Sequence, residues 1–334
     1  MGDTFPVDSV VDYVQRVGKH FLPAELLDVL DKERAAGPAP ELARFLDVVL
    51  DKHDGRYDYV SYLALDLLPL PGHAMTVAAA RRCADELVLA LVEDAIAFER
   101  APRPNQLPED RPGPEVVAKR VHLAGRALAA ARRRSAPLVD PAVRRSMLPV
   151  ATLHDEYLFI RVLQAFETTF ALLAVLLDAT VSTVATDADA AAGHLAMATT
   201  ALQETAPLFS LLATMRVAAF RTFRAHTEGA SAIQSRNYKK VESLCRRPDQ
   251  DRLDSPAYRS VPDLPPAPTT VDEAVTAAGR PPVVVAAMDD FAAALSRWRH
   301  THYRLAMRML GAGPGTGYTE GTPYLERVRT IPVF

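Results

Sequence analysis

The sequence predicts an all-α fold. Apolar residues recur at three- and four-residue steps in nearly every segment, the spacing that aligns them on one face of a helix. Alternating β-branched runs bounded by turn residues, which mark strands, are almost absent. Proline-rich stretches fall between the periodic segments, where a missing N–H and a fixed φ do least harm.

From the N-terminus the spacing predicts helices over 7–17, 24–35, 40–52, 57–68 and 75–100, and then a proline-rich loop from Ala101 to Pro114. Helices follow over 114–136, 141–148 and 151–184. In the last of these, Phe159, Leu163, Phe166 and Phe170 form one apolar stripe, which alone reads as ordinary core. Its run Phe170 to Leu177 comes closest to a membrane span and is stopped by Asp178, far short of the length needed. Over 186–225 the pattern continues as one long helix, with Phe220 and Arg224 a turn apart just before a glycine-containing turn. An arginine there is either a surface residue packing its stem or a bidentate clamp for a carboxylate. After a helix over 235–245, the stretch from Pro248 to Pro282 is again proline-rich, and SPAYRSVPDLPPAPTT cannot sustain a helix; further helices are expected over 270–278 and 284–310.

The last helix is the most informative. Phe291, Leu295, Trp298, His302, Leu305 and Met309 share one stripe, whereas His300 points about 200° around the helix from His302. A histidine on an apolar stripe is either a hydrogen-bonded core residue or the neutral imidazole that a pentacoordinate haem iron uses. Spacing alone leaves both open. Beyond this helix lies a glycine-dense loop with Gly311, Gly313, Gly315, Gly317 and Gly321, suited to close approach to a ligand. It lacks the Lys-Ser/Thr of a P-loop and follows a helix rather than a strand.

Composition narrows the class. Hydrophobic residues make up 49% and charged residues 24% of 334 positions, the balance of a globular chain with a large core. A formal net charge of −3 gives no general reason to bind nucleic acid or an acidic membrane, and clusters such as Arg132 to Arg134 and Arg144 to Arg145 read as helix faces. Cys83 and Cys245 are far apart and form no CxxC pattern, so neither a disulfide framework nor a zinc site is signalled; a reducing cytoplasm is expected. The N-terminal MGDTFPVDSV lacks the basic start and apolar run of a signal peptide.

Four stretches carry a resemblance. WRHTHYRLAMRMLGAGPGTGYTEGTPYL, starting at Trp298, resembles the C-terminal signature of the tryptophan 2,3-dioxygenase family. RYDYVSYLALDLL from Arg56, HDEYLFI..LQAFE from His154 and FRTFRAHTEGASAIQS from Phe220 resemble further segments of that family in the same chain order. The resemblance implies a helical bundle of the tryptophan 2,3-dioxygenase type with extra N-terminal and inserted helices. Residues 1–56 would be an N-terminal extension, 57–68 the tyrosine segment, 69–150 a helical insertion and 151–334 the haem- and substrate-binding core. It implies a b-type haem with His302 as iron ligand and Trp298, Arg299 and Ser231 close by. Arg224 would pair with a substrate carboxylate, Phe220 and Phe159 would wall the ring pocket, and Thr316 would hold the ammonium. Tyr59 and Tyr62 match tyrosines that, in the family tetramer, approach a neighbouring subunit's pocket. The implied partners are an aromatic amino acid, dioxygen and further copies of the chain, as a dimer or tetramer, with no nucleic acid and no membrane.

The departures are specific. Leu163 stands where the family has the distal histidine that accepts the indole N–H, and Thr169 stands where a tryptophan is usual. The closing loop reads GTGYTEG, with Tyr318 and Glu320 adding bulk and charge, and about 85 residues separate the tyrosine segment from HDE. An indole N–H facing Leu163 needs another acceptor, for which Thr169 is one candidate, or else a different substrate. Three readings follow: an oxygenase of altered chemistry acting on a substituted indole or aromatic amino acid in natural-product biosynthesis; a dioxygenase forming N-formylkynurenine from L-tryptophan; and a non-catalytic haem-binding protein.

Overall fold

The structure, a computed structural model, describes residues 5–101, 110–261, 264, 267–311 and 321–334. The described residues form helices joined by turns, with no strand among them, as the periodicity predicts.

At the N-terminus α1 (Val7–Val17), α2 (Ala24–Ala35) and α3 (Pro40–Val49) enclose a small core of Val10, Val14, Leu30, Phe45 and Leu46, which Ala64 and Leu148 join from later in the chain. Lys19 is buried at its base, where Asp51 accepts from Nζ at 2.7 Å and the carbonyls of Val48 and Ser61 complete the ammonium's three bonds. With every donor satisfied, the buried charge is tolerated.

The helix expected over 57–68 is shorter. In α4 (Tyr59–Tyr62), capped by the Asp58 side chain, the chain turns at Ala64, which adopts a left-handed φ of 49° before a 3₁₀ turn at Leu65–Leu67. This bend sets Tyr59 and Tyr62 into the main core.

Next come α5 (Val77–Arg100), α6 (Pro114–Leu128), α7 (Ala131–Arg134) and α8 (Pro141–Arg145). The helix expected over 114–136 divides between α6 and α7, where the Ala129 N–H bonds back three residues to Arg126 rather than four. The arginine-rich faces are engaged with carboxylates of the same chain: Arg134 with Asp85 and Glu204, Arg132 with Glu93, and Arg144 with Asp8 and Asp12.

The central element is α9 (His154–Thr183), buried on every side and packed by α5 and by helices that follow it. It is long and apolar enough to cross a membrane, and all of its most apolar stretch is covered by the rest of the protein. A helix apolar all round needs such cover. The long helix expected over 186–225 is three: α10 (Ala188–Thr205), α11 (Pro207–Leu212) and α12 (Val217–Thr227). Pro207, unable to donate in a helix interior, opens α11, and the Arg216 N–H before α12 is taken by the Asp155 carboxylate at 2.8 Å.

Then come α13 (Arg236–Cys245), α14 (Gln250–Asp254), α15 (Pro256–Arg259), α16 (Val271–Ala277), α17 (Pro282–Leu310) and α18 (Thr322–Val328). The segment read as irregular thus contains two short helices, begun by the Asp249 and Ser255 side chains as caps. Helix α18 was not expected. Helix α10 lies against both α9 and α17, fixing the two helices that carry most of the candidate site.

Candidate functional site

Helices α4, α9, α11, α12, α13, α17 and α18 surround one cavity of about 1590 Å³, counting its opening to solvent. Tyr59, Tyr62, Phe159, Leu163, Phe220, Arg224, Ser231, Trp298, Arg299 and His302 all line it. Residues from four separate stretches of the sequence therefore share one space. Thr316, Tyr318 and Glu320 lie outside the described residues.

On α17 the expected stripe is present: Phe291, Leu295 and Met309 are buried in the core, and Trp298, His302 and Leu305 face the cavity. His300 is exposed, with Nδ1 3.2 Å from Arg329 Nη1. Around His302 the lining is aromatic, with ring centroids 5.3 Å away at Trp298 and 6.4 Å away at Phe209. Phe166, Phe170 and Tyr238 also pack on Trp298, at 5.7, 5.0 and 5.6 Å. Some surface of His302 remains accessible because it faces open space, yet burial alone pushes its imidazole down to about 4. The ring is neutral at neutral pH, the form that binds a metal ion. Trp298 Nε1 is buried without a hydrogen-bond partner among the described residues.

A second wall is the trio Phe159, Phe220 and Phe223, with centroids 5.3 to 5.7 Å apart in tilted and edge-to-face contacts. Arg224 follows on the same helix, half-buried, its pKa lowered by burial. The turn after it is tightly held. Glu228 adopts φ 49° and ψ −104°, and a Cβ on Gly229 would meet the Tyr57 carbonyl at 3.1 Å.

Leu163 is buried in the cavity wall and presents only methyl groups there. Thr169, one candidate for the missing acceptor, is not in the wall. Its hydroxyl donates to the Ala165 carbonyl at 2.9 Å, one turn back on its own helix.

Tyr59 and Tyr62 reach the cavity of their own chain. The Tyr62 hydroxyl donates to Glu156 Oε1 at 3.5 Å, and Glu156 also accepts from the Val150 and Ala151 amides at 2.7 and 2.9 Å. Tyr59 is bonded to Glu167, a buried cavity residue whose pKa is raised by burial despite bonds from Ser235, Asn237 and Tyr59.

The HDE triplet that opens α9 is structural. Arg120 donates to Glu99 at 2.7 Å and to Asp155 at 2.6 Å, His154 Nε2 lies 3.0 Å from Glu99, and all four are buried. Ser231 and Ser235 have similar work: Gln234 accepts the Ser231 N–H at 3.1 Å, and the Ser235 hydroxyl caps α13.

Several wall residues carried no recognised signal, among them Glu167, Tyr238, Lys239, Arg252 and Tyr324. Glu167 and Lys239 sit inside the LQAFE and QSRNYKK stretches, where burial of a charge is not readable from spacing. Arg252 lies in a proline-rich segment that reads as a linker. Arg299 is a brace, donating from Nε to the Tyr238 hydroxyl at 2.7 Å and from Nη1 to the Ile331 carbonyl at 2.6 Å.

No family model matches the chain. Among known proteins, the tryptophan 2,3-dioxygenase of Polaromonas sp. (strain JS666 / ATCC BAA-500) is 24% identical to it over 239 residues, a match that takes in 58% of this chain and 81% of that protein. The chain is therefore distantly similar to a tryptophan 2,3-dioxygenase over most of that enzyme's length.

Proposed function

We propose that the protein is a haem-dependent oxygenase that acts with dioxygen on tryptophan or a substituted aromatic amino acid. The observation that carries the reading is one aromatic cavity holding both a neutral histidine, His302, and a half-buried arginine, Arg224. The distant tryptophan 2,3-dioxygenase supports it.

The residues present fit a haem. A single imidazole faces a mostly apolar, aromatic-lined space, and a porphyrin iron requires one protein ligand where a bare metal ion requires several. Among the described residues no group of three or more His, Cys, Asp or Glu is arranged to hold a bare ion. His302 would hold the iron, and Trp298 and Phe209 would pack beside the ligand ring. Haem, when bound, supplies the redox chemistry that activates dioxygen.

The chain's own residues supply position. Arg224 presents a planar fork to the substrate carboxylate, strengthened by the apolar surroundings that depress its pKa. Phe159, Phe220 and Phe223 hold the aromatic ring and exclude water. Leu163 offers no acceptor to a ring N–H, and the Thr169 hydroxyl is turned to its own helix. A buried unpaired N–H costs about 1–3 kcal/mol. A substrate substituted at that position avoids the cost, which favours a biosynthetic oxygenase of altered specificity over one that opens the ring of plain tryptophan.

The test compares wild type with Leu163→His on L-tryptophan and its ring-N-methyl and side-chain-methyl analogues, with products identified by mass spectrometry under labelled dioxygen. The reading predicts preference for a substituted substrate, shifted toward tryptophan by the histidine. Efficient N-formylkynurenine formation from tryptophan by wild type, with no gain from the histidine, restores the ordinary dioxygenase.

A further inference from the structure

One part of the cavity wall carries more positive charge than its own carboxylates neutralise. Lys239, Arg252 and Arg299 all line the cavity and are 1%, 9% and 4% exposed. They share Glu242: Arg252 Nη2 donates to it at 2.8 Å, and Arg299 Nη2 lies 3.7 Å from its other oxygen. The ammonium of Lys239 donates to the Ile233 carbonyl and reaches no carboxylate at ion-pair distance among the described residues. Glu167, the other acid nearby, accepts from Asn237 through Oε2 at 2.9 Å, its Oε1 is buried with no hydrogen-bond partner among the described residues, and it makes no ion pair with Lys239.

Arg252 is also incompletely satisfied. Its Nη1 donates to the Tyr324 hydroxyl at 2.7 Å and its Nη2 to Glu242, while Nε is buried with no partner among the described residues. Buried donors and charges are normally paired, because desolvation without compensation is costly. Burial pulls Lys239 down to about 7, the same deficit expressed as a weakened hold on its proton.

We propose that Lys239 and Arg252 form a carboxylate site in the cavity wall and that it takes a propionate side chain of the haem. This rests on the haem reading above. Two features favour a propionate over the carboxylate of an amino acid. Arg224, beside the phenylalanine trio, already offers that carboxylate a fork. The cationic group is instead tied to α17 through Arg299, three residues before His302, so it is anchored to the helix that carries the iron ligand. A haem held by His302 carries its two negative charges on one edge, and a cationic wall fixes which way that edge turns.

The test is haem uptake by the apoprotein, followed by Soret absorbance, using haemin and haemin dimethyl ester. Lys239→Met keeps the length of the side chain without its charge, and Arg252→Lys keeps a cation opposite Glu242 while losing the planar fork; circular dichroism verifies that each is folded. Lys239→Met should bind haemin about tenfold or more weakly than wild type. The ester should bind wild type with a similar loss, and should bind Lys239→Met no more weakly than it binds wild type. Arg252→Lys should also weaken haemin binding but not ester binding. Equal haemin affinity in wild type and both variants overturns the proposal, as does an equal loss for haemin and ester in the variants. Variants that keep haemin affinity but lose affinity for the aromatic amino acid would assign the site to substrate and likewise overturn it. Wild type that takes up neither haemin nor its ester contradicts the haem reading itself, and this site with it.

Discussion

Tyr62 and Glu156 meet within one chain, hydroxyl to carboxylate at 3.5 Å, and this contact seats a tyrosine from the N-terminal third against the first turn of the central helix. The cavity therefore receives Tyr59 and Tyr62 without a second subunit. Affinity per chain for haem and for the aromatic amino acid should stay constant as dilution shifts any oligomer toward monomer. Binding measured beside light scattering over a concentration series checks this, and loss of affinity on dissociation would show that a second chain completes the site.

Arg120 is the hinge of a buried ionic cluster, 1% exposed and bonded to both Glu99 and Asp155. Removing one member leaves buried carboxylates without compensation, at about 3–5 kcal/mol. Arg120→Met should lower unfolding stability by that amount in urea titration. A loss below about 1 kcal/mol would mean that the cluster is solvated or rearranges.

Much of this was legible in the sequence because it depends on period. The α17 stripe separates His302 from His300 by helical geometry alone, and the structure shows one facing the cavity and the other exposed. What depends on distant partners was not legible. The break before α12 rests on the Arg216 amide finding Asp155, 61 residues earlier, and nothing near Arg216 announces that bond. Pro207 was a visible breaker, but the apolar spacing continues through it and masks two helix ends. Arg252 enters the wall from a proline-rich segment because caps at Asp249 and Ser255 start short helices there. Whether Tyr59 and Tyr62 serve their own chain or a neighbour depends on the turn at Ala64, whose left-handed conformation no glycine marks.

Arg224 should decide affinity for the carboxylate of the substrate. Loss of one partner of a desolvated charge pair costs about 2–5 kcal/mol, so Arg224→Ala should bind the amino acid well over tenfold more weakly. Arg224→Lys should restore little, because the fork is lost. Calorimetry with the amino acid and its decarboxylated amine checks this, and tight binding of the amine by wild type would contradict it.

The pH dependence of stability should carry the mark of His302. Its ordinary value is 6.5 and its value in the folded chain is about 4. Between those limits the unfolded chain binds a proton that the folded chain refuses, so its contribution is full above about pH 6.5 and is lost as pH falls toward 4. Thermal unfolding of the apoprotein across this window should show wild type losing stability faster than His302→Ala. A constant difference between the two would show that the ring titrates normally in the fold.

The most direct measurement is the Soret spectrum of haem-reconstituted wild type, His302→Ala and His300→Ala. His302→Ala should lose the five-coordinate histidine signature and His300→Ala should keep it, because only His302 faces the cavity. Loss of that signature in His300→Ala with retention in His302→Ala, or no haem spectrum from wild type at all, would contradict assignment of this cavity as a histidine-ligated haem site.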